Sequence, residues 1–249
     1  KKSIIGIIKL AGIISTESRL GSRGGLNLND LSDSITKAFS FKNIKAIALL
    51  VNSPGGSPVQ SALIANRIRD LAKEKEIPVY CFIEDLAASG GYWLSCAGDK
   101  IYAMESSIIG SIGVITAGFG AVEAIKKIGI ERRVYSQGKN KGLLDPFLPE
   151  KKDDIKQILT IQKDLHSQFI AWVKKRRGKR LKANDEVLFN AGVWSGSKAK
   201  ELGLIDGIGD YYNVMKNIFG DDIKFKDFSK KTSWFKQKFL SSSNTLNAD

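Results

Sequence analysis

Apolar runs alternate with amphipathic stretches along the first half of the chain. The runs at 4–14, 46–54 and 77–84 are short and end at polar or proline-containing segments, as buried strands do. Between them, residues 28–39 and 61–75 carry apolar side chains at helical spacing. This alternation predicts an α/β fold, in which βαβ units build a largely parallel sheet through right-handed crossovers.

The second half of the chain is dominated by one long amphipathic helix, predicted at 150–178. Its apolar side chains recur at roughly helical spacing and are Ile155, Ile158, Leu165, Phe169 and Val173. Before it, residues 100–115 and 131–137 look extended and residues 121–130 look helical. A turn, a short helix and a glycine-rich return are predicted at 191–210.

The 249 residues, 43% of them hydrophobic, suffice for one large domain or two small ones. We assign residues 1–228 to a single domain and residues 229–249 to a basic amphipathic tail that ends in a disordered segment. Three aromatic side chains lie among four lysines in this tail, which suits an interfacial helix on an anionic membrane or a short helix docked on the domain. These aromatic residues are Trp234, Phe235 and Phe239. The apolar run at 3–14 is shorter than the roughly 20 residues of a membrane span, and an upstream anchor or signal segment stays open.

A net charge of +13 raises the question of a nucleic-acid or membrane-surface partner. The densest basic segment is KKRRGKR at 174–180. Cations favour the C-terminal end of a helix, and a glycine often stops it, so we interpret this segment as a solvated helix end. No aromatic side chains interleave with it as in RNA-binding signatures, so nucleic acid is not predicted as a partner.

Cysteine and histidine, two common metal-binding residue types, are scarce in the chain. The two cysteines, Cys81 and Cys96, form neither a disulfide framework nor a metal site, and both are predicted to be small buried side chains. No Walker-type phosphate loop is present. The sequence therefore predicts no metal site and no cofactor.

Two glycine-rich turns end consecutive predicted strands, NSPGGSP at 52–58 and AASGG at 87–91. Ligands bind at this edge of an α/β sheet, and glycines before a helix expose N–H groups that can hold a phosphate or a developing oxyanion. For NSPGGSP taken alone, a tight turn is the simpler explanation. Ser89 in AASGG is packing filler, a helix cap, or a nucleophile with the amides of Gly56 and Gly90 as oxyanion donors.

A serine nucleophile needs a base, and the chain has a single histidine, His166, in the middle of the long helix. Its place beside Leu165 indicates a helix-surface residue, so a Ser-His-Asp triad is poorly supported. Lysine is the base in Ser-Lys enzymes, provided that a desolvated pocket keeps its amine neutral. In YSQGKNKGLLDPF, Lys141 adjoins an apolar run and can be drawn inward, whereas Lys139 is its solvated neighbour.

Four ordered motifs, VNSPGGS, ASGGYW, GSIGVI and GKNKGLLDPF, make the chain resemble the signal-peptide peptidase A family, bacterial Ser-Lys serine peptidases that include protease IV. The resemblance covers residues 4–210. It implies the Clp-protease and crotonase-like spiral of ββα units, here with a C-terminal helical extension. It also implies Ser89 as nucleophile, Lys141 as general base and Ser111 as the residue that hydrogen-bonds the lysine amine.

The same resemblance implies how a peptide is bound. Gly56 and the amide of Gly90 match the oxyanion hole of the family. Val59 and Ala62, both small and uncharged, match the strip that lines the substrate groove, so small or apolar side chains are expected before the cleaved bond. Pro58 stands where a valine is common, which puts the substrate preference in question. The mechanism needs no metal or other cofactor.

The resemblance further implies cleaved signal peptides or membrane-derived segments as substrates, in a bacterial homo-oligomer whose sites are shared between subunits. Short members commonly carry an N-terminal membrane anchor. None is seen here, so the expected location is membrane-associated or cytoplasmic. A crotonase-like acyl-CoA enzyme would share the spiral and the glycine oxyanion hole, and a nucleic-acid or membrane-binding protein rests on charge alone. An inactive scaffold is disfavoured because both dyad residues are present.

Overall fold

One mixed sheet runs through the structure, a computed structural model that describes residues 2–16, 25–138 and 140–229. The strands are β1 (Ile4–Ala11), β2 (Ile44–Ser53), β3 (Val79–Ala88), β4 (Lys100–Ala103), β5 (Ile108–Gly110), β6 (Val193–Ser195), β7 (Gly207–Ile208) and β8 (Lys224–Asp227). The helices are α1 (Leu28–Ser40), α2 (Pro58–Lys75), α3 (Gly90–Ser95), α4 (Val122–Lys127), α5 (Lys152–Arg177), α6 (Asp185–Leu188), α7 (Gly196–Glu201) and α8 (Tyr211–Phe219).

Parallel strands form the centre of this sheet, in the order β8, β1, β2 and β3. β3 then has two successive parallel partners, because residues 80–83 pair with β4 and residues 86–88 pair with β5. β6 closes this end by pairing antiparallel with β5. α1 and α2 contribute the buried side chains of Ile35, Ile64 and Ile68 to the main core. The predicted α/β fold with a largely parallel sheet is confirmed.

Two of the predicted extended segments differ from the structure. Residues 100–115 contain two short strands, β4 and β5, and residues 111–115 belong to no strand. Residues 131–137 pair with no strand in the described chain, and every one of them is exposed. A segment forms a strand only where a neighbouring strand can pair with it and one of its faces is buried. Residues 131–137 have neither, so their local sequence pattern was not enough to make them a strand.

An exposed arm, residues 114–150, leaves the sheet after β5 and returns at the start of α5. None of its described residues is buried, and the side chains of Ile115, Phe119 and Tyr135 are 86%, 91% and 92% exposed. The exposure continues into α5, where the predicted apolar face divides into two parts. Phe169 and Val173 are buried, whereas Ile155 is 38% exposed.

The predicted basic tail, including Trp234, Phe235 and Phe239, lies outside the described residues, as does Lys139. Among the helices of the described ranges, none is both long and apolar enough to cross a membrane. The assignment of residues 1–228 to one domain stays a prediction.

The basic segment at the end of α5 is only partly the solvated helix end that the sequence predicted. Gly178 ends the helix with a φ of 53°, and Lys174, Lys175 and Lys179 are exposed, but the arginines are not. Arg177 is 2% exposed, and its guanidinium donates to Asp206 at 2.6 Å and to the carbonyl of Gly203. Arg180 also contacts Asp206. Burial alone would raise the pKa of the Asp206 carboxyl, but the hydrogen bond and charge of Arg177, the Ile101 N–H and the charge of Arg180 together outweigh it, so this pKa is lowered. Arg177 and Arg180 thus bind the end of α5 to the segment between α7 and β7.

Replacing Arg177 by methionine is expected to lower the free energy of unfolding by about 3 kcal/mol, because Asp206 keeps its burial and loses its main cation. Lys174→Ala is the matched control. Its ion pair with Asp185 is about half exposed on both sides, so less than about 1 kcal/mol should be lost. Urea unfolding at neutral pH measures both. Because the Asp206 pKa is lowered, its contribution is present at neutral pH and is lost as the pH falls below the ordinary carboxyl range.

Candidate active site

Ser89 lies at a strained turn between β3 and α3. Its φ of 52° and ψ of −122° are unusual for a residue with a side chain and cost of order 1–3 kcal/mol. The Ser89 N–H donates to the carbonyl of Gly110 at 2.8 Å, which holds the turn against β5. Although Ser89 occupies the N-cap position of α3, its hydroxyl makes no capping hydrogen bond. The half-buried hydroxyl is therefore available for chemistry.

Glycines allow the turn after β2 to lie directly against this serine. A Cβ atom on Gly55 would lie 2.8 Å from the Cβ of Ser89, and one on Gly91 would lie 2.3 Å from the carbonyl oxygen of Ser53. Both distances are shorter than real side chains allow, and Gly55 has a φ of +100°. The two glycine-rich turns predicted at one edge of the sheet are thus in contact.

The N–H groups of Gly56 and Gly90 belong to the residues that follow Gly55 and Ser89, the two residues in this contact. Gly56 forms a parallel bridge with Ile14, in which the carbonyl of Gly55 and the N–H of Ser57 are the bonded groups. In such a bridge the central residue directs its own N–H away from the partner. Gly90 is the first residue of α3, and its nitrogen lies 2.7 Å from the Cβ position of Gly55. Within the described residues neither N–H has a hydrogen-bond acceptor, as an oxyanion hole requires.

The strand register brings Ser111 beside Ser89. Ala88 is paired with Gly110, so the residues that follow these two strands are neighbours across the sheet edge. Ser111 also has a positive φ, 52°, and its N–H donates to the carbonyl of Gly192 at 2.7 Å. The two serines that the motifs singled out therefore meet at one site.

Lys141 is not brought to this site within one chain. It lies in the exposed arm, its side chain is exposed, and its main-chain N–H donates to the carbonyl of Gly138. Among the described residues, its amine has no hydrogen-bond or ion-pair partner, and this includes Ser89 and Ser111. Within its own chain, Lys141 is therefore not drawn inward as the sequence predicted.

The predicted groove residues lie on the first turns of α2, directly after the glycine-rich turn NSPGGSP. Val59 is 62% exposed and Ala62 is half-buried, so both can be reached from solvent. Pro58 is at the start of α2, where proline is favoured because that N–H has no partner in the helix. Ser57 caps the helix by accepting from the N–H of Gln60. The proline at position 58, where a valine is common, is thus explained by its place at the start of a helix.

The cysteines do not offer a competing nucleophile. Cys81 and Cys96 are both fully buried and unpaired. Burial raises the pKa of the Cys81 thiol to about 12 and that of Cys96 to about 11. Because the thiolate is the reactive form, both cysteines are inert at neutral pH. The prediction that both are small buried side chains is confirmed.

His166 differs from its description as a helix-surface residue. It is half-buried, and its Nε2 atom lies 3.0 Å from the carbonyl oxygen of Ile112, the residue after Ser111. Helical spacing in the sequence could have indicated that His166 faces the core. His166 precedes Phe169 by three positions and Val173 by seven, and both of these are buried.

Comparison with known proteins shows the family of the chain. The sequence profile described as "Peptidase family S49" matches residues 71–219. A Brucella melitensis protein with the name "Na(+)/H(+) antiporter NhaA" is 48% identical over 222 residues, which are 89% of this chain and 30% of that protein. "Protease 4" of Haemophilus influenzae is 33% identical over 254 residues, which are 98% of this chain and 40% of that protein. The chain therefore spans well under half of these relatives.

Solved structures show the same fold. A lysine-to-alanine mutant of a protein described as 1510-N membrane-bound stomatin-specific protease, in complex with a substrate peptide, has a TM-score of 0.57 and 16% identity. The match covers 98% of this chain and 99% of that one. A serine-to-alanine mutant of the same protein matches with a TM-score of 0.56. The expected Clp-protease-like α/β fold is confirmed.

Proposed function

Because this chain belongs to peptidase family S49, we propose that it is a serine endopeptidase in which Ser89 and Lys141 form a catalytic dyad. The observation that carries the proposal is the Ser89 turn, which presents a hydroxyl without a capping role beside two N–H groups without acceptors. The family also favours a peptidase over the crotonase-like acyl-CoA enzyme that shares this architecture.

In the first step, the neutral amine of Lys141 takes the proton of Ser89 while Oγ attacks the scissile carbonyl. The N–H groups of Gly56 and Gly90 stabilise the oxyanion, and loss of one such donor costs roughly 3–4 kcal/mol in other enzymes. The protonated lysine then donates its proton to the departing amine, which leaves an acyl-enzyme on Ser89. In the second step, the lysine removes a proton from water, which attacks the ester and restores the serine. Ser111 hydrogen-bonds the lysine amine and orients it.

The lysine of each site is supplied by a neighbouring subunit of a homo-oligomer. Three properties of the exposed arm support this. Lys141 has no described partner within its own chain, no described residue of the arm is buried, and the apolar side chains of Ile115 and Phe119 are almost fully exposed. Large apolar surfaces of this kind mark association sites. Contact with a second subunit would also desolvate the lysine and favour its neutral form.

The proposed substrates are peptides, such as cleaved signal peptides or membrane-derived segments, and the proposed source is bacterial. The name of the Haemophilus relative supports a protease. The proposal includes contact of the basic tail with a membrane surface. It does not include nucleic acid as a partner.

A serine-reactive phosphonate tests the function directly. The expected product is a single covalent adduct on the Ser89 peptide, identified by digestion and mass spectrometry. Ser57→Ala should label at the wild-type rate, because the hydroxyl of Ser57 caps α2. Labelling of another serine, or no labelling of a protein that cleaves peptides, contradicts the assignment.

Substrate preference is expected to favour small or apolar side chains immediately before the cleaved bond. The physical reason is the uncharged, accessible surface of Val59 and Ala62 on α2, the helix that follows the glycine-rich turn in contact with Ser89. A peptide library analysed by mass spectrometry measures the preference. Val59→Lys should lower kcat/KM for apolar peptides several-fold, since it places a charge in the groove. Best cleavage after lysine or aspartate in the wild-type protein would refute this expectation.

A further inference from the structure

The C-terminal half of α5 holds the main chain around both active-site serines. Three of its side chains donate hydrogen bonds to carbonyl groups of the segments that begin at Ser89 and Ser111. The pairs are His166 with Ile112 at 3.0 Å, Trp172 with Trp93 at 3.0 Å, and Arg176 with Cys96 at 2.8 Å. Two of these contacts reach the α3 region, and only that of His166 reaches the Ser111 turn.

The Ser111 turn has few other supports. Among the described residues, Ser111 and Gly113 make two main-chain hydrogen bonds, that of the Ser111 N–H with Gly192 and that of the Gly113 N–H with Ser111, and the preceding Gly110 accepts from the Ser89 N–H. The side chain of Ile112 is fully buried and Gly113 lies against Ala191, but residues 115–120 beyond them are all exposed. Within the described residues, the Ile112 carbonyl has no partner other than His166. This hydrogen bond therefore restrains a non-glycine residue with a φ of 52°.

We infer that His166 is a positioning residue of the proposed peptidase: its Nε2–H fixes the Ser111 turn, so that the Ser111 hydroxyl can orient the catalytic lysine. A carbonyl oxygen only accepts, so Nε2 must carry the hydrogen in this contact. A nitrogen that donates to a main-chain carbonyl is not a base for Ser89. His166 thus acts through Ser111, and the inference rests on the proposed function of that residue.

The test compares His166→Phe, which keeps a ring and loses the donor, with His166→Gln, which keeps an N–H donor. Steady-state cleavage of an apolar peptide is measured for both, alone and combined with Ser111→Ala. Loss of one hydrogen bond should lower kcat roughly tenfold in His166→Phe, with KM within about twofold of wild type. His166→Gln should recover most of this loss.

The double variant separates positioning from general stability. In the Ser111→Ala background, His166→Phe should lower kcat by less than about twofold, since its effect passes through the missing hydroxyl. Trp172→Phe is the matched control, because it removes a carbonyl hydrogen bond made by the same helix to a different segment. Trp172→Phe should lower kcat by the same factor in the wild-type and in the Ser111→Ala background. Circular dichroism at the assay temperature gives the folded fraction to which each rate is normalised.

Several results would overturn the inference. These are a wild-type kcat in His166→Phe, an equal loss in both backgrounds, a loss confined to KM, or no recovery in His166→Gln. A wild-type protein that neither cleaves peptides nor reacts with the phosphonate would instead refute the proposed function, and the inference with it. Activity in the wild type with an unaffected His166→Phe refutes the inference alone.

Discussion

Ser89→Ala and Lys141→Ala are each expected to lower kcat for an apolar peptide by a factor on the order of 10⁵. Nucleophile and base act as a unit, so removing either one loses nearly all of their joint contribution. The proposed oxyanion donors at Gly56 and Gly90 remain in both variants and should account for the residual rate. Peptide cleavage under saturating substrate measures the effect.

Lys139→Ala is the control for the lysine, because it changes the neighbouring cation in the same GKNKG segment and should cleave at close to the wild-type rate. Unchanged circular dichroism spectra show that the variants fold. Retained turnover in Ser89→Ala would eliminate this serine as the nucleophile. A Lys139→Ala variant as inactive as Lys141→Ala would leave the choice of base unsupported.

Mixing the two inactive proteins, Ser89→Ala and Lys141→Ala, is expected to restore cleavage once their subunits exchange. An intact Ser89 of one subunit then meets an intact Lys141 of its neighbour at some of the junctions. The exposed position of Lys141 is the physical reason for this expectation, because no described residue of its own chain binds its amine. The recovered rate rises from near zero to a substantial fraction of the wild-type rate.

Exchange itself must be measured independently, for instance by native mass spectrometry of isotopically labelled subunits. Each protein incubated alone is the matched control and should stay inactive. Proven exchange without recovered cleavage would rule out a shared site and require the exposed arm to fold back onto its own Ser89.

Much of the fold, and the placement of two turns of the candidate site, were predictable from local pattern. The runs at 46–54 and 77–84 identified β2 and β3, because strands buried on both faces are continuously apolar. Their order placed the turns with Gly56 and Ser89 at one edge of the sheet, since parallel strands end together. These features depend on neighbouring residues and on chain order, which a sequence contains.

Features that depend on distant partners were decided by the tertiary structure. The basic segment at 174–180 looked solvated, yet Arg177 is buried because Asp206, 29 residues later, pairs with it. His166 looked peripheral, yet it binds a carbonyl 54 residues earlier in the chain.

For Lys141, the sequence determined only that a lysine precedes an apolar run. The tertiary structure decided that this lysine is exposed within its own chain, because no described residue of the arm that carries it is buried. Helical and strand periodicity report which side of an element is apolar. They do not report which distant charge, carbonyl or subunit will face it, and that choice arises only when the elements pack.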